Sequence, residues 1–185
     1  MHKLVLLGDP AVGKTTLLTY FTMGSFNPQH NPTVGAGCST YQYTKDDINE
    51  SVQIWDTAGS EIYKSMAPIY TRDAFAAMIV IDLTNEKTLD GVDDWIKYLQ
   101  PGVPIIVVGN KCDLRDSRKI NHLECYEFCN KRGCDYLETS AYTGEGVENA
   151  FQSILDRAFQ VSTTQQESVD SVDLRGTKKK KEGCC

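Results

Sequence analysis

Three short motifs hold the residues in this chain whose types and spacing can do chemistry. They are Gly8-Asp9-Pro10-Ala11-Val12-Gly13-Lys14-Thr15, then Asp56-Thr57-Ala58-Gly59, then Asn110-Lys111-Cys112-Asp113. The first spacing suits a phosphate. Glycines at both ends let the backbone curl so that main-chain N–H groups converge on an anion, and a helix following Gly13 would aim its positive end there. Lys14 adds a point charge for the β- and γ-phosphates, and the Thr15 hydroxyl can ligate Mg²⁺. A chance Gly-rich turn is the bland alternative, and the strand-then-helix context opposes it. Pro10 has no N–H, so one donor is missing and the loop is stiffer.

Asp56 ends an apolar run (Val52, Ile54, Trp55) and is expected at the C-terminal edge of a sheet, where its carboxylate suits Mg²⁺ held through water. Gly59 can bring its N–H against a γ-phosphate with no side chain in the way. An Asp-x-x-Gly is by itself a turn; its place downstream of a phosphate loop is what argues for function. Thr33, in Asn31-Pro32-Thr33-Val34-Gly35, is a candidate Mg²⁺ ligand once a γ-phosphate draws its loop inward, against the reading of a surface turn threonine. In the third motif Asp113 can accept both the N1–H and the exocyclic amine of guanine, and adenine would leave that carboxylate unpaired at a cost of a few kcal/mol. Asn110 can bridge the phosphate loop and the base, and Lys111 can lay its stem across the ring. Ser140-Ala141 can offer an N–H to the guanine oxygen. Phe26 is either an edge-on neighbour of the base or an ordinary packed aromatic.

These motifs need elements to hold them. Hydrophobic runs and amphipathic stretches alternate. Strands are predicted at 3–7, 37–44, 51–56, 76–82, 105–109 and 135–138, and helices at 14–23, 62–71, 86–99, 123–131 and 146–159. Such alternation implies an α/β, three-layer domain of the phosphate-loop NTPase kind: a six-stranded, mostly parallel sheet with one antiparallel strand and about five helices. The antiparallel pair is the second and third strands, joined by a short turn at 46–49. Residues 1–161 form the domain. Residues 162–185 are polar, carry Lys178–Lys181 and end in Cys184-Cys185, which reads as a disordered tail.

Bulk composition narrows the class. The chain has 185 residues, 41% apolar and 24% charged, a one-domain length with an ordinary soluble composition. Its net charge of −6 opposes nucleic-acid binding; five basic and four acidic residues lie from Ser162 onward, leaving −7 on residues 1–161. No run is long enough to span a membrane, and the N-terminal apolar stretch is short for a signal peptide, so a cytoplasmic protein with reduced cysteines is expected. His122, Cys125, Cys129 and Cys134 would suit zinc by type, but small buried cysteines under a helix explain them more simply.

The chain resembles the Ras superfamily of small GTPases, and most closely the Rab family, over roughly residues 1–160 plus the terminal cysteines. The resemblance rests on Trp55-Asp56-Thr57-Ala58-Gly59, Asn110-Lys111-Cys112-Asp113-Leu114, Glu138-Thr139-Ser140-Ala141 and the Cys-Cys end. It implies a GTP-hydrolysing switch with Mg²⁺ as cofactor and GDP or GTP as bound nucleotide. The nucleotide-binding set is then Gly8, Asp9, Pro10, Ala11, Val12, Gly13, Lys14, Thr15, Thr16, Phe26, Thr33, Gly59, Asn110, Lys111, Asp113, Ser140, Ala141 and Tyr142. Thr15, Thr33 and Asp56 are the metal residues, and Lys14, Thr33 and Ser60 the catalytic ones. Trp55, Tyr70 and Cys38 stand at the three effector-contacting positions, and Cys184 and Cys185 are prenylation sites. Expected partners are effectors, an exchange factor, a GTPase-activating protein, a prenylation escort and a dissociation inhibitor. A monomer cycling to the cytosolic face of an endomembrane is expected, held by lipid and by the lysine run at about 1 kcal/mol per lysine.

Departures from the family pattern carry information too. The residue after Gly59 is normally a glutamine that orients the attacking water, and here it is Ser60, whose hydroxyl is too short for that bridge. Slow intrinsic hydrolysis follows, since losing one positioning group costs about 10²–10³ in rate. An arginine is replaced by Ile62, an effector aromatic by Cys38, and a lysine by Tyr142, which could stack on the base. Two alternatives to a trafficking GTPase remain at this stage: a GTP-binding module with negligible hydrolysis, and a phosphate-loop kinase or ATPase, which the guanine motif opposes.

Overall fold

A computed structural model of the chain describes residues 2–26, 33, 35–59 and 65–173, with side chains through residue 164. Its strands are β1 His2–Leu7, β2 Ala36–Lys45, β3 Ile48–Thr57, β4 Ala76–Asp82, β5 Ile105–Asn110 and β6 Asp135–Glu138. They form one sheet in the order β2-β3-β1-β4-β5-β6. β2 and β3 pair antiparallel around a turn in which Asp46 takes φ 50°, and the other neighbours run parallel.

The parallel centre explains the unbroken apolar runs, because strands covered on both faces have no polar side. Leu4, Leu6, Met78 and Val80 face one core with Leu17, Phe151, Ile154 and Leu155. Val5, Leu7, Ala77 and Ile79 face the other with Leu89, Trp95, Cys125 and Cys129. Helix α1 (Lys14–Met23) and the last helix, α6 (Val147–Asp173), cover the first face. Helices α3 (Lys87–Asp90), α4 (Val92–Ile96) and α5 (His122–Asn130) cover the second. The result is the three-layer α/β architecture that the motif order implied.

β3 begins at Ile48, within the turn expected at 46–49, and the larger differences from the sequence reading are in three helices. A single helix over 86–99 is instead two short helices broken at Gly91, a residue without helix propensity that packs close to Asp9. Helix α2 spans only Ala67–Thr71, with Pro68 at its start; positions 60–64 lie outside the described residues. The last helix does not stop at Phe159, where its apolar stripe ends, but continues to Asp173. Once nucleated by a packed segment, a helix extends through Thr, Gln and Glu at little cost per residue, and the Thr163 and Thr164 hydroxyls bond back to the carbonyls of Phe159 and Gln160. Among the described residues no helix is long and apolar enough to cross a membrane.

Candidate nucleotide site

The motifs meet at the C-terminal edge of the parallel strands, where open α/β sheets leave a crevice. The segment 8–13 follows β1, 58–59 follows β3, 111–113 follows β5 and 139–142 follows β6. At Gly13 the backbone takes φ 100°, and a Cβ there would lie 2.4 Å from the Asn110 Nδ2, so only glycine permits both the turn and the close packing. Lys14 opens α1 and is 6% exposed. Its Nζ donates to the carbonyls of Gly8 at 2.8 Å and Asp9 at 2.9 Å, so the ammonium lies inside the curl of the loop. Burial pushes its pKa down to about 8, against the upward pull of the Asp56 and Asp9 carboxylates.

Residues far apart in the chain meet beside this loop. The Thr15 hydroxyl lies 2.6 Å from the Thr33 hydroxyl and donates to Asp56 Oδ2 at 2.6 Å. Thr33 Oγ1 is 3.4 Å from the same carboxylate oxygen. Two hydroxyls and a carboxylate make a donor set of hard oxygens only, which fits Mg²⁺ and disfavours softer metals. Gly59 is pressed against the loop. A Cβ on it would come within 2.5 Å of the Asp9 carbonyl, so a side chain there would displace the phosphate loop.

The base end forms a cavity of about 310 Å³ lined by Ala11, Gly13, Thr16, Phe26, Asn110, Lys111, Asp113, Leu114, Ala141 and Tyr142. Phe26 and Tyr142 stand edge to face with ring centroids 5.1 Å apart, which puts Phe26 at the pocket and not merely in the core. Asn110 is fully buried and holds the site together. Its Nδ2 donates to the Val12 carbonyl at 2.8 Å, and its Oδ1 accepts from Thr139 Oγ1 at 3.2 Å and from the Ala141 N–H at 3.0 Å. The Ser140 N–H donates to Glu145 and the Ser140 hydroxyl accepts from the amides of Tyr142 and Thr143. These donors, read from the sequence as partners for a guanine oxygen, are thus engaged within the protein, where they set the shape of the loop. Lys111 takes the left-handed φ of 68°, and its Nζ donates to Asp82 Oδ2 at 2.6 Å. Burial alone would raise the Asp82 carboxyl, but hydrogen bonds from Lys111 and Thr84 outweigh it and hold the group below its ordinary range.

Asp82 carries no role in the sequence reading, and Leu114 and Thr139 enter it only as members of the family motifs, yet all three line or brace the site. Asp82 had a signal of its own. It ends an apolar strand as Asp56 does, so the rule that located one carboxylate at the sheet edge also locates the other.

The three expected effector positions come together on the β2–β3 face. Cys38 sits directly opposite Trp55 in the antiparallel register, and Trp55 and Tyr70 have ring centroids 6.5 Å apart. The Lys3 ammonium lies 4.7 Å from the centre of the Trp55 ring, and Ile69, next to Tyr70 in α2, is exposed. Ser60, Ile62, Cys184 and Cys185 lie outside the described residues. The zinc reading finds no support. Cys125, Cys129 and Cys134 are buried in the second core, His122 Nδ1 lies 3.1 Å from Glu138 Oε1, and among the described residues no group of His, Cys, Asp or Glu is arranged to hold a metal. Burial raises all three thiols, Cys129 to about 12, so they behave as small apolar side chains.

Known proteins match this arrangement. A sequence model of the Ras family matches residues 3–160. The chain is 36% identical over 179 residues to the Ras-related protein YPTC6 of Chlamydomonas reinhardtii, an alignment covering 95% of this chain and 82% of that protein.

Proposed function

The chain belongs to the Ras family of small GTPases, and on that premise we propose that it is a Rab-like, doubly prenylated membrane-trafficking switch with slow intrinsic GTP hydrolysis. Proteins of this family bind guanine nucleotides and hydrolyse GTP. The observation that carries the switch reading is the meeting of Thr33 with Thr15 and Asp56, together with Gly59 against Asp9. Thr33 and Gly59 both stand beside the phosphate loop, where a γ-phosphate bound there can draw them in and its loss can release them.

Magnesium, when bound by those oxygens, supplies positive charge for the β- and γ-phosphoryl oxygens. The rest falls to side chains of the chain itself. Lys14 exchanges its Gly8 and Asp9 carbonyls for phosphate oxygens, and the Gly59 N–H faces the γ-phosphate. Asp113 selects guanine, and Phe26, Lys111 and Tyr142 flank the ring. Ser60 stands where a water-orienting amide is usual, and the short hydroxyl leaves the attacking water unaligned. The Trp55–Tyr70–Cys38 face supports an effector surface whose preference differs from that of relatives with a third aromatic. Exchange factor, GTPase-activating protein, prenylation escort and dissociation inhibitor complete the cycle.

Purified protein is expected to retain GDP or GTP tightly against an excess of ATP; loss of both, or preference for adenine nucleotides, would overturn the reading. Single-turnover hydrolysis should rise about tenfold or more in Ser60→Gln, and an unchanged rate removes the account of slow hydrolysis. Ser60 also favours a second reading, a GTP-binding module that recruits effectors with negligible turnover. Cell extract separates the two, because stimulated turnover shows that a partner supplies the missing groups in trans. The variant carrying Cys184→Ser and Cys185→Ser is expected in the soluble fraction; membrane retention would refute the lipid anchor.

A further inference from the structure

Asp9 poses an electrostatic problem. It places a carboxylate in a loop that, on the reading above, must hold a triphosphate, and like charges at close range repel. The structure turns that carboxylate away from the ligand side. Asp9 Oδ1 accepts from the indole Nε1 of Trp95 at 3.1 Å, and Trp95 is itself 2% exposed. Asp9 Oδ2 lies against Gly91, where a Cβ would be 3.3 Å away, and Gly91 is the residue that breaks the helix into α3 and α4. The carboxylate thus fits into the joint between two short helices. The backbone of the same residue is held from two more directions. Its carbonyl accepts from Lys14 Nζ at 2.9 Å, and Gly59 packs against it at the limit of backbone contact.

We infer that Trp95 is a positioning residue for the phosphate loop: through its indole N–H it fixes the Asp9 carboxylate in the α3–α4 joint, which keeps a negative charge off the phosphates and ties that helix pair to nucleotide retention. Trp95 acts on the loop through Asp9. A glycine at 91 suits the same arrangement, since a Cβ there would lie 3.3 Å from the carboxylate. The inference rests on the nucleotide-binding reading.

The test is the dissociation rate of a fluorescent GDP analogue chased with unlabelled GDP, measured on the full chain. Trp95→Phe keeps a buried ring and removes the N–H, and Asp9→Ala removes the carboxylate. Trp95→Phe is expected to speed release about tenfold or more, the effect of one lost charge-assisted hydrogen bond. In the Trp95→Phe background, Asp9→Ala should add no further acceleration and should slow release back toward the parent rate, because it removes the freed negative charge. Val92→Ala lies in the same helix and removes buried volume without touching Asp9. It should lower the melting temperature but leave release within about twofold of the parent. Three results would overturn the inference: release unchanged in Trp95→Phe, effects of the two substitutions that multiply, or Val92→Ala accelerating release as much as Trp95→Phe. Failure of the parent protein to bind GDP at all would instead refute the nucleotide-binding reading on which the inference stands.

Discussion

At the base end of the crevice Asn110 and Lys111 are already satisfied inside the protein. Asn110 uses both ends of its amide on Val12, Thr139 and Ala141, and Lys111 is held by Asp82. At the phosphate end the groups that would meet the ligand bond to one another instead: Thr15 to Thr33 and Asp56, and Lys14 to the loop carbonyls. The base pocket is therefore preorganised and can discriminate with little rearrangement. The phosphate end must exchange internal bonds for ligand bonds, so its loops respond to what is bound. On the proposed function, selectivity and switching are separated in space within one site.

Breaking the preorganised end should have the largest effect. Asn110→Ala leaves the Val12 carbonyl and the Ala141 N–H buried without a partner. It is expected to cost about 2–4 kcal/mol of stability and at least about a hundredfold in guanine-nucleotide affinity, read by chemical denaturation and equilibrium binding. Affinity within tenfold of the parent would show that the base end does not depend on this hub. At the other end, Asp56→Asn should weaken GDP binding about tenfold in Mg²⁺ and make retention nearly insensitive to a chelator. Persistent chelator sensitivity would remove Asp56 from the metal set.

Lys14 sharpens the comparison through pH. Folding depresses it from its ordinary value of about 10.5 to about 8. A lysine depressed on folding costs stability in full below its folded pKa, and the cost is relieved as pH rises from about 8 toward 10.5, because the unfolded chain binds more protons across that window. Nucleotide-free protein should therefore gain stability over the window relative to Lys14→Met, which has no proton to lose. Nucleotide affinity should run the opposite way, falling above about pH 8 as the ammonium is lost. Parallel pH profiles for the parent and Lys14→Met would contradict the buried-ammonium account. The smallest effect is expected far from the site. Cys129→Ser puts a hydroxyl into an apolar core and should cost about 1–3 kcal/mol of stability, with nucleotide release and its metal dependence unchanged. A change in bound zinc would reopen the metal reading.

Much of the site was legible because its chemistry is local. Gly8–Thr15 is contiguous and α1 begins at Lys14 as the pattern required, and Asn110–Asp113 follows a buried strand as predicted. What escaped was non-local or governed by packing. The Asp82–Lys111 pair joins residues on two different strand ends. The Asp9–Trp95 bond crosses from a loop to a helix on the second face. The expected 86–99 helix is split at Gly91, beside the Asp9 carboxylate.

The order of the motifs and the two-sided apolar runs were enough to define a parallel α/β sheet and the class of ligand at its edge, because a strand's side-chain period and a loop's phosphate-binding spacing are properties of adjacent residues. Tertiary structure alone decided which hydroxyls share Asp56, which backbone Gly59 presses on, and where the Asp9 carboxylate is stored. Those contacts join segments that are distant in the chain, and only the packing of both helical layers on one sheet determines their separation.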